Sequence, residues 1–240
     1  MSKDGKMTTM DVILDSNPYS KQSMDMISEV EKTVKDATKN TKLEQANIGI
    51  GGVTSINHDL ESMSNSDYTK TVTFMMIGIV LILIILLRSL VMPVYIIASL
   101  LLTYYSSIAM TEVIFVNILG YPGINWVTPF FGFVILIALG VDYSIFLMDR
   151  FSEYKELDVK TGIMIAMKNM GTVIMSAAVI LAGTFAAMLP SGVLSMLQIA
   201  TLVLSGLLFY ALIILPLFVP VLINMLGKAN WWPFIPKKDR

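Results

Sequence analysis

The chain has 240 residues, 55% of them in the set AVILMFWYC and only 15% charged, with a mean hydropathy of +0.71. That composition excludes an ordinary soluble domain and marks a membrane protein. A net charge of −1, with no long run of like charges, excludes nucleic-acid binding; the absence of Cys removes disulfides, thiolate metal sites and a Cys nucleophile; and a lone His58 cannot build a histidine cluster.

Residues 1–70 hold eight of the 17 Lys/Arg and 11 of the 18 Asp/Glu, so a polar domain precedes a membrane domain. Residues 1–18 contain no apolar signal-like core, and export of the polar part is expected to depend on an upstream segment or a later helix. Met10, Val12 and Leu14 repeat at period two and predict a strand with one apolar face. A helix is predicted next, with Asn17 as cap, Pro18 in its first turn, and Met24, Ile27, Val30, Val34 and Ala37 forming its apolar stripe. Residues 47–53 alternate Ile48 and Ile50 with neighbours that include glycine, which predicts a second strand and completes a β-α-β unit of the split ferredoxin-like kind. One such unit cannot bury both sheet faces, so it is expected to pack against further chain. A second helix, with Ile56, Leu60 and Met63 on one face, leads from Thr54 toward the membrane.

A bilayer core about 30 Å thick needs about 20 apolar residues per helical crossing. Five segments qualify: residues 71–87, 93–114, 128–148, 167–189 and 193–226. The last is longer than one crossing needs, which predicts a tilt or a kink at Pro216 and Pro220. Trp126, Trp231 and Trp232 fall at predicted ends, where an aromatic belt would place them. The fold class expected is therefore a five-helix all-α membrane bundle (residues 71–228), preceded by a small extracytoplasmic α+β fragment (residues 1–70) and followed by a cytoplasmic tail (residues 229–240).

Sidedness follows from charge. Arg88, Arg150, Lys155, Lys160, Lys168, Lys228, Lys237, Lys238 and Arg240 all fall on the side reached after spans one, three and five, and the two opposite loops carry no Lys or Arg. The positive-inside rule makes the charged side cytoplasmic and places residues 1–70 outside, in a multi-pass protein of the cell membrane.

One carboxylate sits well inside a predicted span: Asp142. An Asp at a helix centre costs roughly 2.5–3.5 kcal/mol to insert, so it marks a functional site unless a buried cation pairs with it. The five spans offer no such cation, and desolvation then favours the protonated acid. A group that takes up and releases a proton inside the membrane is what proton coupling requires. Tyr143 stands about 100° round the helix and could hydrogen-bond a carboxylate on a facing helix. Ser144, Thr172 and Ser176 could extend a relay, although such hydroxyls more often bond to backbone. The small residues Gly140, Gly171, Ala178 and Gly183 are expected to serve close helix packing. The 18 methionines, scattered among Leu and Ile, read as adaptable packing and not as a copper site. Ile48-Gly-Ile-Gly-Gly-Val53 lacks the spacing and the Lys-Ser/Thr of a phosphate loop, so no nucleotide or metal cofactor is expected.

Three motifs carry a family resemblance. Gly140-Val-Asp142-Tyr143-Ser-Ile-Phe-Leu-Met-Asp-Arg150-Phe-Ser-Glu153 resembles the Gly-x-Asp-Tyr…Arg…Glu signature of the MMPL family, within the resistance-nodulation-division (RND) superfamily. Gly51-Gly52, Asp59 and Asp67 are similar to that family's approach to the membrane, and Leu87-Arg88-Ser89-Leu-Val-Met-Pro93 to its turn after the first helix that follows an external domain. The resemblance, closest to the Gram-positive members, implies the end of a porter domain plus the five helices of the carboxy-terminal part of one RND half. It implies that Asp142 and Tyr143 face an equivalent pair on a second half, in the same polypeptide or another subunit, and relay protons. The gradient would be the only energy source. The function expected is proton-driven export of lipids or other amphipathic solutes by a non-enzyme. The alternatives are a SecDF-like protein-export accessory and a sterol-sensing-like scaffold, in which Asp142 would be dispensable.

Overall fold

The computed structural model describes residues 7–16, 18 and 20–233, and of residues 64–66 the backbone only. The chain divides into two compact units, 1–66 and 67–240.

In the first unit, α1 (Lys21–Thr38) opens where Ser20 accepts a hydrogen bond from the Ser23 N–H at 3.2 Å. Ser20 is thus the cap, three residues beyond the expected one; Asn17 itself lies outside the described residues. Neither predicted strand forms: residues 10–14 and 47–50 are irregular, and no strand occurs among the described residues, so the β-α-β porter fragment is not borne out. Period-two alternation specifies a face, but a strand also needs a neighbour to satisfy its N–H and C=O groups. No ladder partner is present among the described residues, and Met10 and Val12 remain exposed. At the expected second strand's end, Gly52 adopts φ +122°, a conformation that side chains resist, and reverses the chain into the next helix. Ile56, Leu60 and Met63, expected on one helix face, are exposed.

α2 runs unbroken over Val53–Leu87, so the predicted second helix and first span are one element. Beyond it come α3 (Val91–Glu112), extended by a wide π turn to Ile118; α4 (Val127–Ser152); α5 (Val159–Ala186); and α6 (Leu194–Phe209). A second π segment (Tyr210–Phe218) leads into α7 (Val219–Leu226) and a 3-10 turn (Gly227–Trp231). Five stretches are long and apolar enough to cross a membrane: Val53–Leu87, Val91–Ile118, Val127–Ser152, Val159–Ser191 and Leu194–Trp231. The predicted break in the last one appears as a change of helix type. Pro216 lies inside the π segment and Pro220 at the second position of α7, directly after it.

α6 is the hub, packing on α3, α4 and α5. It fits closely because Gly132 on α4 receives Leu202 of α6, and Gly206 on α6 receives Leu136 of α4. At one end of the bundle, fully buried Gln198 of α6 accepts hydrogen bonds from the Asn125 N–H (2.8 Å) and the Thr128 hydroxyl (3.2 Å), and donates to the Gly123 carbonyl (3.2 Å). Gln198→Leu keeps the bulk but strands those groups. We expect a loss of about 1–3 kcal/mol, read as a lower midpoint of thermal unfolding in detergent. At the other end, Ser89 accepts from the N–H groups of Val91 and Met92 and donates to the Asn230 carbonyl at 2.5 Å, while Phe151 stacks on Trp231. These links hold the end of the last membrane-length stretch against the starts of α3 and the end of α4.

Candidate functional site

Asp142 stands 10 residues before the end of α4 and 15 after its start, about 15 Å and 22 Å along the axis. With a hydrocarbon core about 30 Å thick, neither end of the helix brings it to the surface of the bilayer. It lies on an outward stripe of exposed residues that includes Phe131, Ala138, Phe146 and Asp149, spaced at three, four and seven residues. No described residue pairs with it: the ion pairs are Lys35–Glu31, Lys39–Asp36 and Arg150–Glu153, and none involves Asp142. The carboxyl is therefore presented away from this chain's own core, with no cation of its own to hold it ionised.

Tyr143 is 4% exposed and belongs to the core, and its hydroxyl is buried with no hydrogen-bond partner among the described residues. Asp142 and Tyr143 are neighbours in sequence whose side chains leave α4 in different directions. Ser144 is buried too. Its hydroxyl donates to the Gly140 carbonyl at 3.1 Å and is hydrogen-bonded to the Tyr210 hydroxyl at the start of the second π segment. That contact ties the helix that carries Asp142 to the hub of the bundle, so the outward setting of Asp142 is fixed from behind.

Thr172 and Ser176 occupy the exposed face of α5 with Asn169, Gly183 and Ala187, and make no side-chain hydrogen bond among the described residues. α5 packs against α4, and the two are joined by a short connection, residues 153–158. Asn169 is tied to that connection by its hydrogen bond to the Tyr154 hydroxyl, and Thr172 and Ser176 lie about one and two turns farther along α5. Ser144 and Tyr143 thus sit inside, and Asp142, Thr172 and Ser176 outside. Arg150, Glu153 and Tyr154 form a separate group at the end of α4: Arg150 donates to Glu153 at 2.5 Å and lies over the Tyr154 ring, whose hydroxyl accepts from the Asn169 side chain at 3.1 Å. Their place at the mouth of the α4–α5 turn makes them a brace for that turn.

Two buried features escaped the sequence. Tyr210 looks like one more aromatic in an apolar run, and only its pairing with Ser144, 66 positions away, gives it a role. On α3, Thr103, Ser107 and Thr111 each donate to the carbonyl four residues back, forming with Ser99 a buried column of hydroxyls with its own helix as acceptor. The four-residue spacing of that column was the available signal. His58 is half-buried beside Ser28 at 3.4 Å, and no cluster of metal-binding side chains occurs among the described residues.

The model of the MMPL family matches residues 1–240. YdgH of Bacillus subtilis (strain 168) is 54% identical over 237 residues, covering 99% of this chain and 27% of that protein. SCO5905 of Streptomyces coelicolor is 37% identical, covering 98% and 28%. The sulfolipid-1 exporter MmpL8 of Mycobacterium tuberculosis (strain ATCC 25618 / H37Rv) is 30% identical, covering 97% and 21%. The chain therefore spans about a quarter of the length of the curated relatives it matches.

Proposed function

The chain belongs to the MMPL family, and from that premise we propose that it is the membrane part of a proton-driven exporter of lipids or other amphipathic solutes, with Asp142 as the proton carrier. The observation that carries this reading is the lone carboxyl at membrane depth on an outward face of α4, without an ion-pair partner among the described residues. A neutral acid is tolerated there and a bare carboxylate is not, so each protonation state prefers a different covering of that face.

That covering is a second half of the transporter, in the same polypeptide or another subunit. Its matching surface lies against Asp142, Thr172 and Ser176 when the acid is protonated and rearranges when the acid ionises. One proton falling inward through 100 mV releases about 2.3 kcal/mol, enough to bias a two-state packing equilibrium by about 50-fold. The Lys and Arg distribution supports a cytoplasmic position for the α4–α5 turn and for the carboxy terminus, with residues 1–70 outside. The exported class is proposed by likeness to MmpL8, whose name specifies a sulfolipid.

The test is an infrared difference spectrum of reconstituted protein, wild type minus Asp142→Asn, recorded across pH. A protonated-carboxyl band that responds to pH and is missing from the variant is expected. A carboxylate signal alone at every pH above the ordinary Asp range would overturn the proton reading and favour a scaffold.

A further inference from the structure

A groove of about 290 Å³ lies at the end of the bundle opposite Gln198, lined by Leu90, Val91, Val94, Tyr95, Leu226 and Trp232. Its walls come from the first turns of α3 and the last residues of α7, with the segment just beyond. Two hydrogen bonds stitch these together, Ser89 hydroxyl to Asn230 carbonyl at 2.5 Å and Leu90 N–H to Trp232 carbonyl at 3.0 Å. The groove is open: Val94 is 68% and Trp232 52% exposed. An apolar groove with an indole at its mouth, where membrane-length helices end, matches the boundary between hydrocarbon and headgroups.

Two cations lie next in sequence to the segments that line the groove. Arg88 precedes Leu90 by two residues and Lys228 follows Leu226 by two, so the stitched segments bring both cations to the groove's end of the bundle. Both are exposed, and neither has an ion-pair partner among the described residues. No Asp or Glu occurs at residues 88–95 or 226–232, and Asp149 and Glu153 of the α4 end stand at the same end of the bundle. Arg88 is also held at φ +47°, a left-handed conformation unfavourable for a side-chain-bearing residue, which the flanking Ser89 and Leu90 hydrogen bonds maintain.

We propose that this groove binds one phospholipid with an anionic headgroup, an acyl chain lying along Val94 and Tyr95 and the headgroup held by Arg88 and Lys228. Water fits less well, because a wall this apolar offers it too few partners. The site is separate from Asp142 and does not depend on proton coupling.

Trp232 supplies the probe. The full chain is reconstituted in vesicles of phosphatidylcholine with increasing fractions of brominated phosphatidylglycerol, or of brominated phosphatidylcholine as reference. The Trp232 signal is the difference between wild type and Trp232→Phe. Brominated phosphatidylglycerol should quench it at about a 30-fold lower mole fraction than the zwitterionic lipid, as two headgroup contacts from basic residues would give. In R88Q/K228Q the preference should disappear. In K155Q/K160Q, which removes two cations from the α4–α5 connection, it should stay. Equal quenching by both lipids would mean an ordinary lipid shell, and a preference that survives R88Q/K228Q or falls equally in K155Q/K160Q would mean general surface attraction; each of these overturns the site.

Discussion

Asp142→Asn is expected to abolish proton-coupled export while leaving the bundle as stable as the wild type. The carboxyl makes no hydrogen bond or ion pair among the described residues and lies on an exposed face, so the isosteric amide removes nothing that holds this chain together. What it removes is the ability to change charge. With one proton per substrate, 100 mV contributes about 2.3 kcal/mol and sustains about a 50-fold solute gradient, and in the variant that gradient should fall to the level reached without a membrane potential. Asp142→Glu keeps the titrating group on the same face but moves it outward by one methylene, and should retain part of the activity. The measurement is substrate accumulation in vesicles holding the whole polypeptide, under an imposed potential and pH difference, beside a thermal melt. A variant that still accumulates substrate at the wild-type level would remove Asp142 from the mechanism. A variant that loses activity together with its melting transition would instead make the residue structural.

The same residue shows how far the sequence reaches. Asp142 could be picked out because an acid in an apolar span is costly, and that cost is a local property of one residue in one helix. Its direction was not legible, since whether it points at the core depends on which face of α4 meets α6, a matter of packing between segments some 60 residues apart. Tyr143 is expected to reach a carboxylate on a facing helix, and the sequence could not show that its side chain, 4% exposed, lies within this chain's own core. The five spans were readable from length and hydropathy, but their ends were not: α5 begins at Val159, eight residues before the predicted start, because a helix continues past the hydrocarbon wherever its polar residues can reach water, as Lys160 and Lys168 do. The failed strands at residues 10–14 and 47–53 have the opposite cause. Alternation is a local pattern, while a strand's hydrogen bonds are supplied by another strand that nothing in the pattern guarantees.

Substituting Gly206 should damage the bundle severely, and the loss from Gly206→Ala should be partly reversed by a second substitution. A side-chain carbon at Gly206 would sit 2.7 Å from both methyls of Leu136 and 2.9 Å from the Ser107 hydroxyl oxygen, all closer than real contacts allow. Leu136 is 1% exposed and Ser107 2% exposed, so neither has free space to move into. The reciprocal arrangement, Gly132 against Leu202 one turn away, means that separating α4 from α6 to relieve one clash would open the other contact. Gly206→Ala should cost about 1–3 kcal/mol through overpacking, and Gly206→Val more, because both branches point into the same neighbours. Leu136→Ala on its own leaves a cavity and should cost about 2–5 kcal/mol. In the double variant Gly206→Ala/Leu136→Ala the new methyl enters the space that Leu136 vacates, so the combined loss should fall short of the sum by about 1 kcal/mol or more. Gly78→Ala, where nothing lies within 4 Å, serves as the control and should be neutral or slightly stabilising through its gain in helix propensity. Unfolding in mixed detergent reads all five variants. Strict additivity would show that α4 and α6 can part without cost, and α6 would then no longer be the element that fixes the face on which Asp142 stands.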